Sequence, residues 1–285
     1  MNIENYKVTG KHKIKLADFK TNDTGNFEKS GDVTSIISKN MSEFSEYQDR
    51  FFAEAKEALL IVFQAMDAAG KDSAIKNVMS GVNPQGINVY SFKQPSAEER
   101  SHDYLWRAIK VLPARGKIAI FNRSYYETVL VEKVHKDYLE LNLPDRCKTE
   151  DTIEKRYNHI KNFENYLWEN GTTIIKFFLH VSENTQRKRF LERIEKKDKN
   201  WKFSASDLLE RSHWDEYQQA FETAINKTST SVCPWYIIPA DKKWYSRAVI
   251  SEVLLGIMKT MNPQYPTVPD DHEAALAECR KLLSK

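Results

Sequence analysis

The chain has 285 residues, 41% of them hydrophobic, which suits one large α/β domain or two small ones and excludes a chain too polar to build a core. The net charge of +3 is too small to name a partner, so the distribution of charge carries the information. Cys147, Cys233 and Cys279 are far apart with no CxxC pair, no run approaches the roughly 18 apolar residues of a membrane helix, and the N-terminus lacks a secretory h-region, so a cytoplasmic protein with no disulfide scaffold, zinc site or membrane span is expected.

The first 50 or so residues are polar and mixed, with a basic patch KHKIKL (11–16), a turn-rich stretch and a helical pattern from Ile36 to Ala58. They read as an N-terminal extension, 1–50, packed on a main domain of 51–262, with 263–285 as a C-terminal tail. In the main domain, short apolar runs alternate with helical ones. The expected strands are ALLIVF (58–63), INVYSF (87–92), KIAIF (117–121), TIIKFFLHV (173–181) and WYIIPA (235–240). Their unbroken apolar character suits parallel strands covered on both faces. The expected helices are Lys71–Ser80, Ala97–Val111, Asp151–Glu169, Glu183–Lys196, Ser206–Thr228 and Lys243–Lys259. Strands alternating with helices of this length predict a doubly wound sheet, whose ligands bind beyond the carboxyl ends of the strands.

QAMDAAGKDSAIK (64–76) follows the first strand. Against the pattern G-x-x-x-x-G-K-[ST], Ala65 replaces the first glycine and Asp72 stands where a magnesium-binding Ser or Thr would be. The strand-loop-helix context still lets Gly70 and the helix N-terminus direct N–H groups at phosphate, with Lys71 to neutralise charge. Asp67 is harder to place, because a carboxylate in a phosphate cradle repels its ligand unless a cation lies between them. This predicts that at least one carboxylate holds Mg²⁺ bridged to phosphate. The alternative is that Asp72 merely serves the helix dipole and Lys71 is solvated.

SFKQPS (91–96) ends the second strand and presents Lys93 beside Pro95; a solvated loop lysine is the alternative. IFNRSYYE (120–127) ends the third, with Asn122 in place of the usual acidic residue, then Arg123, whose fork suits two phosphate oxygens, and Glu127; an Arg123 paired with a neighbouring acid is the structural alternative. Residues 187–202 (RKRFLERIEKKDKNWK) hold eight basic side chains against three acidic ones, a local +5. Arg189 and Arg193 share a helix face. Ser204–Asp207 reads as a capping-box start for the next helix. Helix, basic loop and helix resemble a lid over phosphates, at about 190–215. A solvated charged face is the plainer reading of such a run. Trp214 and Tyr217, at i and i+3, read as packing residues, and His213 as an exposed or capping histidine.

In this order, AMDAAGKDSAIKNVMSGVNPQG, SFKQPS, IFNRSYYE, RFLERIE, NWKFS and WDEYQQAFETAI resemble the polyphosphate kinase 2 family across roughly residues 30 to 260. Asn122 makes the chain similar to the class III branch, which phosphorylates both AMP and ADP. The resemblance implies a P-loop kinase-like three-layer α/β/α fold with a five-stranded parallel sheet and a helical lid. It also implies Mg²⁺ as cofactor, and reversible phosphoryl transfer between inorganic polyphosphate and AMP, ADP or ATP. Asp67, Gly70 and Lys71 map onto the Walker A-like positions, Asn122 and Arg123 onto the Walker B-like ones, and Arg189 and Arg193 onto the lid arginines; Glu127 and Lys93 follow by position. Asp67 would hold the metal, and Lys71, Lys93, Arg189 and Arg193 the phosphates. A homo-oligomer is expected, with no nucleic-acid or membrane partner. Two rivals follow from the residues: an ATP-dependent nucleoside monophosphate kinase, disfavoured by Asp72, and a nucleic-acid-binding module using residues 187–202, disfavoured by the small net charge.

Overall fold

The computed structural model describes residues 1–267 and 269–284. In chain order the elements are β1 (Lys7–Val8), α1 (Gly31–Glu54), β2 (Ala58–Ala65), α2 (Lys71–Val78), β3 (Ile87–Ser91), α3 (Ala97–Ser101), α4 (Trp106–Ile109), β4 (Ile118–Asn122) and α5 (Glu127–His135). They continue with α6 (Thr152–Glu169), β5 (Thr172–His180), α7 (Glu183–Glu195), α8 (Ser206–Ser212), α9 (Trp214–Thr228), β6 (Trp235–Pro239), α10 (Lys243–Met261) and α11 (Asp270–Leu283).

The five expected strands form one parallel sheet in the order β6-β5-β2-β4-β3. The central strand β2 is apolar along Leu59 to Phe63 because both faces are covered, and all five residues are wholly buried. Helices α1, α2 and α10 pack together on one face, and α5, α6 and α9 on the other. A sixth strand departs from the five-stranded expectation. β1, from the N-terminal extension, pairs antiparallel with β6 through Lys7↔Tyr236 and Val8↔Trp235. It is two residues long, too short to leave an alternation in the sequence. The extension is sewn on further by Tyr6, whose hydroxyl meets Asp23 at 2.7 Å and Tyr245 at 2.8 Å.

Two expected helices are each two. The run 97–111 breaks between α3 and α4, where Asp103 Oδ1 accepts from the Leu105 N–H at 2.9 Å. The run 206–228 breaks at His213, which closes α8 and caps α9. Ser204–Asp207 is not a capping box: α8 starts at Ser206, Ser204 Oγ accepts from the Ser206 N–H at 3.3 Å, and Asp207 pairs instead with Arg193. Helix α5 was hidden by its composition, since TVLV reads as strand. Residues 263–285, expected as a tail, contain α11.

The site depends on one pairing. β2 and β4 are neighbours, with Phe63 opposite Asn122, and the Arg123 N–H extends the ladder to Phe63 O at 3.0 Å. The loops leaving the two strands therefore lie side by side at the carboxyl edge, the ligand edge of such sheets.

Candidate functional site at the carboxyl edge

The loop after β2 turns through Ala68, at φ +59°, and Gly70, at φ +110°, before α2 begins at Lys71. Glycine tolerates that backbone and alanine tolerates it poorly, so the strain sits at Ala68. Arg123 is also left-handed, at φ +62°. Its guanidinium turns back across the loop, donating through Nη2 to Asp67 Oδ1 at 2.7 Å, with Nη1 4.0 Å from Glu127 Oε2. Burial works against the Arg123 charge, but the Glu127 and Asp67 carboxylates outweigh it and raise its pKa. Glu127 is itself held by the Gln64 amide at 2.9 Å. The second loop carboxylate has a different partner: Asn122 Nδ2 donates to Asp72 Oδ1 at 2.8 Å. Each acid that looked misplaced in a phosphate loop is thus gripped by one residue of the neighbouring strand end.

Lys71 is buried, with Nζ donating to Ala65 O at 3.0 Å. Burial pulls its pKa down, and the Arg123 charge adds to that. A third cation braces the loop. Arg189 donates to Ala68 O and Ala69 O at 3.0 and 2.7 Å, and to Ala240 O and Asp241 O at 2.7 and 3.1 Å. Its fork clamps the β2 loop to the end of β6, and burial lowers its pKa. Four backbone carbonyls thus make Arg189 a brace for the loop, and its Nη1 still faces Gly70, next to the phosphate cradle expected for it. Arg193 is also turned inward, 3.5 Å from Asp207 across the lid. Burial and nearby Asp67 both raise the Asp207 pKa. Within the basic segment Glu192 binds Lys196 and Lys199 at 2.6 and 2.8 Å, and these bonds pull its pKa down to about 2. Two of the segment's basic side chains are therefore held by Glu192, an acid already counted in its net +5.

The loop separates two environments. On one side lies a cavity of about 860 Å³, whose walls include Asp67, Arg123, Glu127, Lys93, Tyr104 and Arg156. Lys71, Gly70, Asn122, Arg189 and Arg193 are not among its walls, so Lys93 stands apart from the lysine and arginines it was grouped with. The Lys93 carbonyl accepts from Arg107 at 2.8 Å, which fixes the turn that presents it. Arg156, one of the wall residues, lies 5.1 Å from the Tyr104 ring and 5.5 Å from the Tyr138 ring, and is anchored by Thr128 and Glu132.

The other side is cationic and includes residues that the sequence reading passed over. A Cβ on Gly70 would sit 3.8 Å from Lys243 Cε and 3.9 Å from Arg189 Nη1. Lys243 and Arg247 are four apart on α10, and Arg247 donates to Ser73 Oγ in the first turn of α2 at 2.7 Å. Burial lowers the pKa of both, and for Lys243 the Arg189, Lys199 and Arg247 charges add to the effect. Such crowding of cations is costly without an anion. The signal was present: DKKWYSR follows the β6 strand directly, where the strand-end rule says to look. Arg156, by contrast, left no local signature.

Comparison with known proteins places the chain. The family model for polyphosphate kinase 2 matches residues 29–266. An ADP-polyphosphate phosphotransferase of Rhodopseudomonas palustris is 42% identical over 282 residues, covering 98% of each chain. An AMP/ADP-polyphosphate phosphotransferase of Meiothermus ruber is 41% identical over 266 residues, covering 93% of this chain and 96% of its own. The crystal structure of a polyphosphate kinase 2 from Arthrobacter aurescens TC1 superposes with a TM-score of 0.87 at 35% identity, covering 96% and 95% of the two chains. The P-loop kinase-like fold, the two strand-end loops and the matched span together make this chain a member of the polyphosphate kinase 2 family.

Proposed function

We propose that the protein transfers phosphoryl groups reversibly between inorganic polyphosphate and nucleotides, making ADP from AMP and ATP from ADP. The observation that carries this reading is the two-sidedness of the loop. A linear polyanion needs a run of cations and no nucleoside pocket, which the side of the loop carrying Arg189, Lys243 and Arg247 offers. A nucleotide needs a cavity with aromatic walls, which the Asp67 and Arg123 side offers, with Tyr104 and Arg156 among its walls. The phosphates of donor and acceptor then meet at the loop. Lys71 and Arg123 neutralise the charge there, and Glu127 and Asp67 fix the Arg123 fork. Positioning and neutralisation suffice for phosphoryl transfer, and no covalent nucleophile is assigned.

Mg²⁺ belongs to the same reading. Among the described residues no three His, Cys, Asp or Glu side chains converge to hold a metal by themselves. One or two carboxylates with substrate phosphates and water completing the shell is how Mg²⁺ binds phosphoryl-transfer sites, and Asp67 with Glu127 nearby fits that role. When bound, the ion would neutralise phosphate oxygens next to Asp67. The three cysteines are free thiols, which suits a cytoplasmic protein. A homo-oligomer is also part of the proposal, with Trp201, Leu209 and other exposed apolar side chains as surfaces to cover. Among the described residues no helix is long and apolar enough to cross a membrane.

The test pits the two donors against each other. With AMP, Mg²⁺ and long-chain polyphosphate, chromatography should show ADP and then ATP. Formation of ADP from AMP with ATP as donor, and none with polyphosphate, would transfer the chain to the nucleoside monophosphate kinases.

A further inference from the structure

We infer that Gln186 is a positioning residue that ties the posture of the lid to the backbone of Asp67. It lies on α7 and is 1% exposed. Its amide is used at both ends: Nε2 donates to Asp67 O at 3.0 Å, and Oε1 accepts from Arg211 Nη1 at 2.7 Å. Arg211 belongs to α8, the lid helix, and its guanidinium also donates to Glu183 O at 3.0 Å and Glu183 Oε1 at 2.9 Å. The partners fix the amide's orientation. Flipped, it would set an NH₂ against the guanidinium and an oxygen against the Asp67 carbonyl, with both contacts repulsive.

The bridge joins two parts that must be correct together. The Asp67 carbonyl it holds is the last peptide oxygen before the strained Ala68, at φ +59°, so this bond helps to aim the Asp67 side chain at Arg123. At the other end, α8 carries Asp207 into the neighbourhood of Asp67 as well as Arg211 onto Gln186. When α8 lifts, Gln186 loses the acceptor role that orients its amide, and the peptide after Asp67 is released from its aim. Lid closure therefore sets the loop through Gln186, which touches no reacting atom itself.

The inference rests on the proposed phosphotransfer, and the experiment separates the two. Initial rates with polyphosphate and ADP would be measured for wild type, Gln186→Met, Arg211→Ala and the double variant, with Lys71→Ala as the control for the reaction itself. Each single variant should lose about tenfold in kcat while KM for ADP stays within about twofold, because alignment is lost and binding is kept. The double variant should be no worse than the poorer single one, since both cut the same bridge. Wild-type kcat in Gln186→Met, or losses that multiply in the double variant, would overturn the inference. If Gln186→Met does not fold, Gln186→Glu decides. It keeps an acceptor for Arg211 and sets an oxygen against the Asp67 carbonyl, so it should lose kcat in the same way; full kcat would overturn the inference. A lower melting temperature with unchanged kcat would mean a purely structural residue. Wild-type protein without polyphosphate-dependent turnover would remove the function and this inference with it, whereas wild-type turnover with unimpaired variants removes the inference alone.

Discussion

Lys71→Ala separates stability from activity, because the buried ammonium helps one and burdens the other. Two unit charges about 4 Å apart interact by about 4 kcal/mol at an effective dielectric of about 20. At about 1.4 kcal/mol per decade, losing one such contact to a transferring phosphoryl group slows turnover about a thousandfold. The folded state has little to lose. The Lys71 bond to Ala65 O, at 3.0 Å, is worth about 1 kcal/mol net. Burial holds the Lys71 pKa below the 10.5 of a free lysine, so the fold carries this charge at a cost, which the substitution removes. Urea unfolding should therefore place the variant within about 1 kcal/mol of wild type. The coupled rate of ATP formation should meanwhile fall by about three decades. Activity within tenfold of wild type would refute the argument, and so would a large loss of stability accompanying the loss of activity.

Arg123→Lys should lower kcat/KM about a hundredfold with little change in stability, since one ammonium cannot serve both Asp67 and Glu127 as the guanidinium fork does. Steady-state rates with ADP would check it. The pH profile follows from Lys71: its lowered pKa means that the ammonium is lost below pH 10.5, so kcat/KM for polyphosphate should fall on the alkaline side with a midpoint under that value, and Lys71→Arg should abolish that limb. For stability the sign is opposite. The cost of the buried charge is fully present below the folded pKa and is relieved as pH rises toward 10.5. Lys176→Met should cost about 3–5 kcal/mol in urea unfolding, because it leaves the Glu164 carboxylate buried without its cation, held only by the Tyr125 and Tyr126 hydroxyls at 2.9 and 2.8 Å.

The strands were legible because burial on both faces writes itself as unbroken apolar runs, and Leu59 to Phe63 is the plainest case. Where one residue decides, the sequence is mute. Asp103 stops a helix that its composition would continue, and His213 divides what reads as one amphipathic run. In the site, the residue types were readable and their partnerships were not. Asp67 and Asp72 signalled that cations must be near, but that Arg123 answers one and Asn122 the other follows only from the pairing of β2 with β4. Arg189 read as a free lid cation because its partners are four backbone carbonyls, which no residue letter reveals. Gln186 was invisible for the same reason at one end, and at the other because Arg211 lies 25 residues away.

The central claim is direct transfer from a phosphate chain to a nucleotide across the Lys71 loop. Phosphorus NMR of polyphosphate mixed with ADP, Mg²⁺ and enzyme tests it in one experiment. The account predicts the β-phosphate resonance of ATP growing in step with the loss of interior polyphosphate signal, with little free phosphate. Release of inorganic phosphate without ATP, or an unchanged polyphosphate signal, would contradict it.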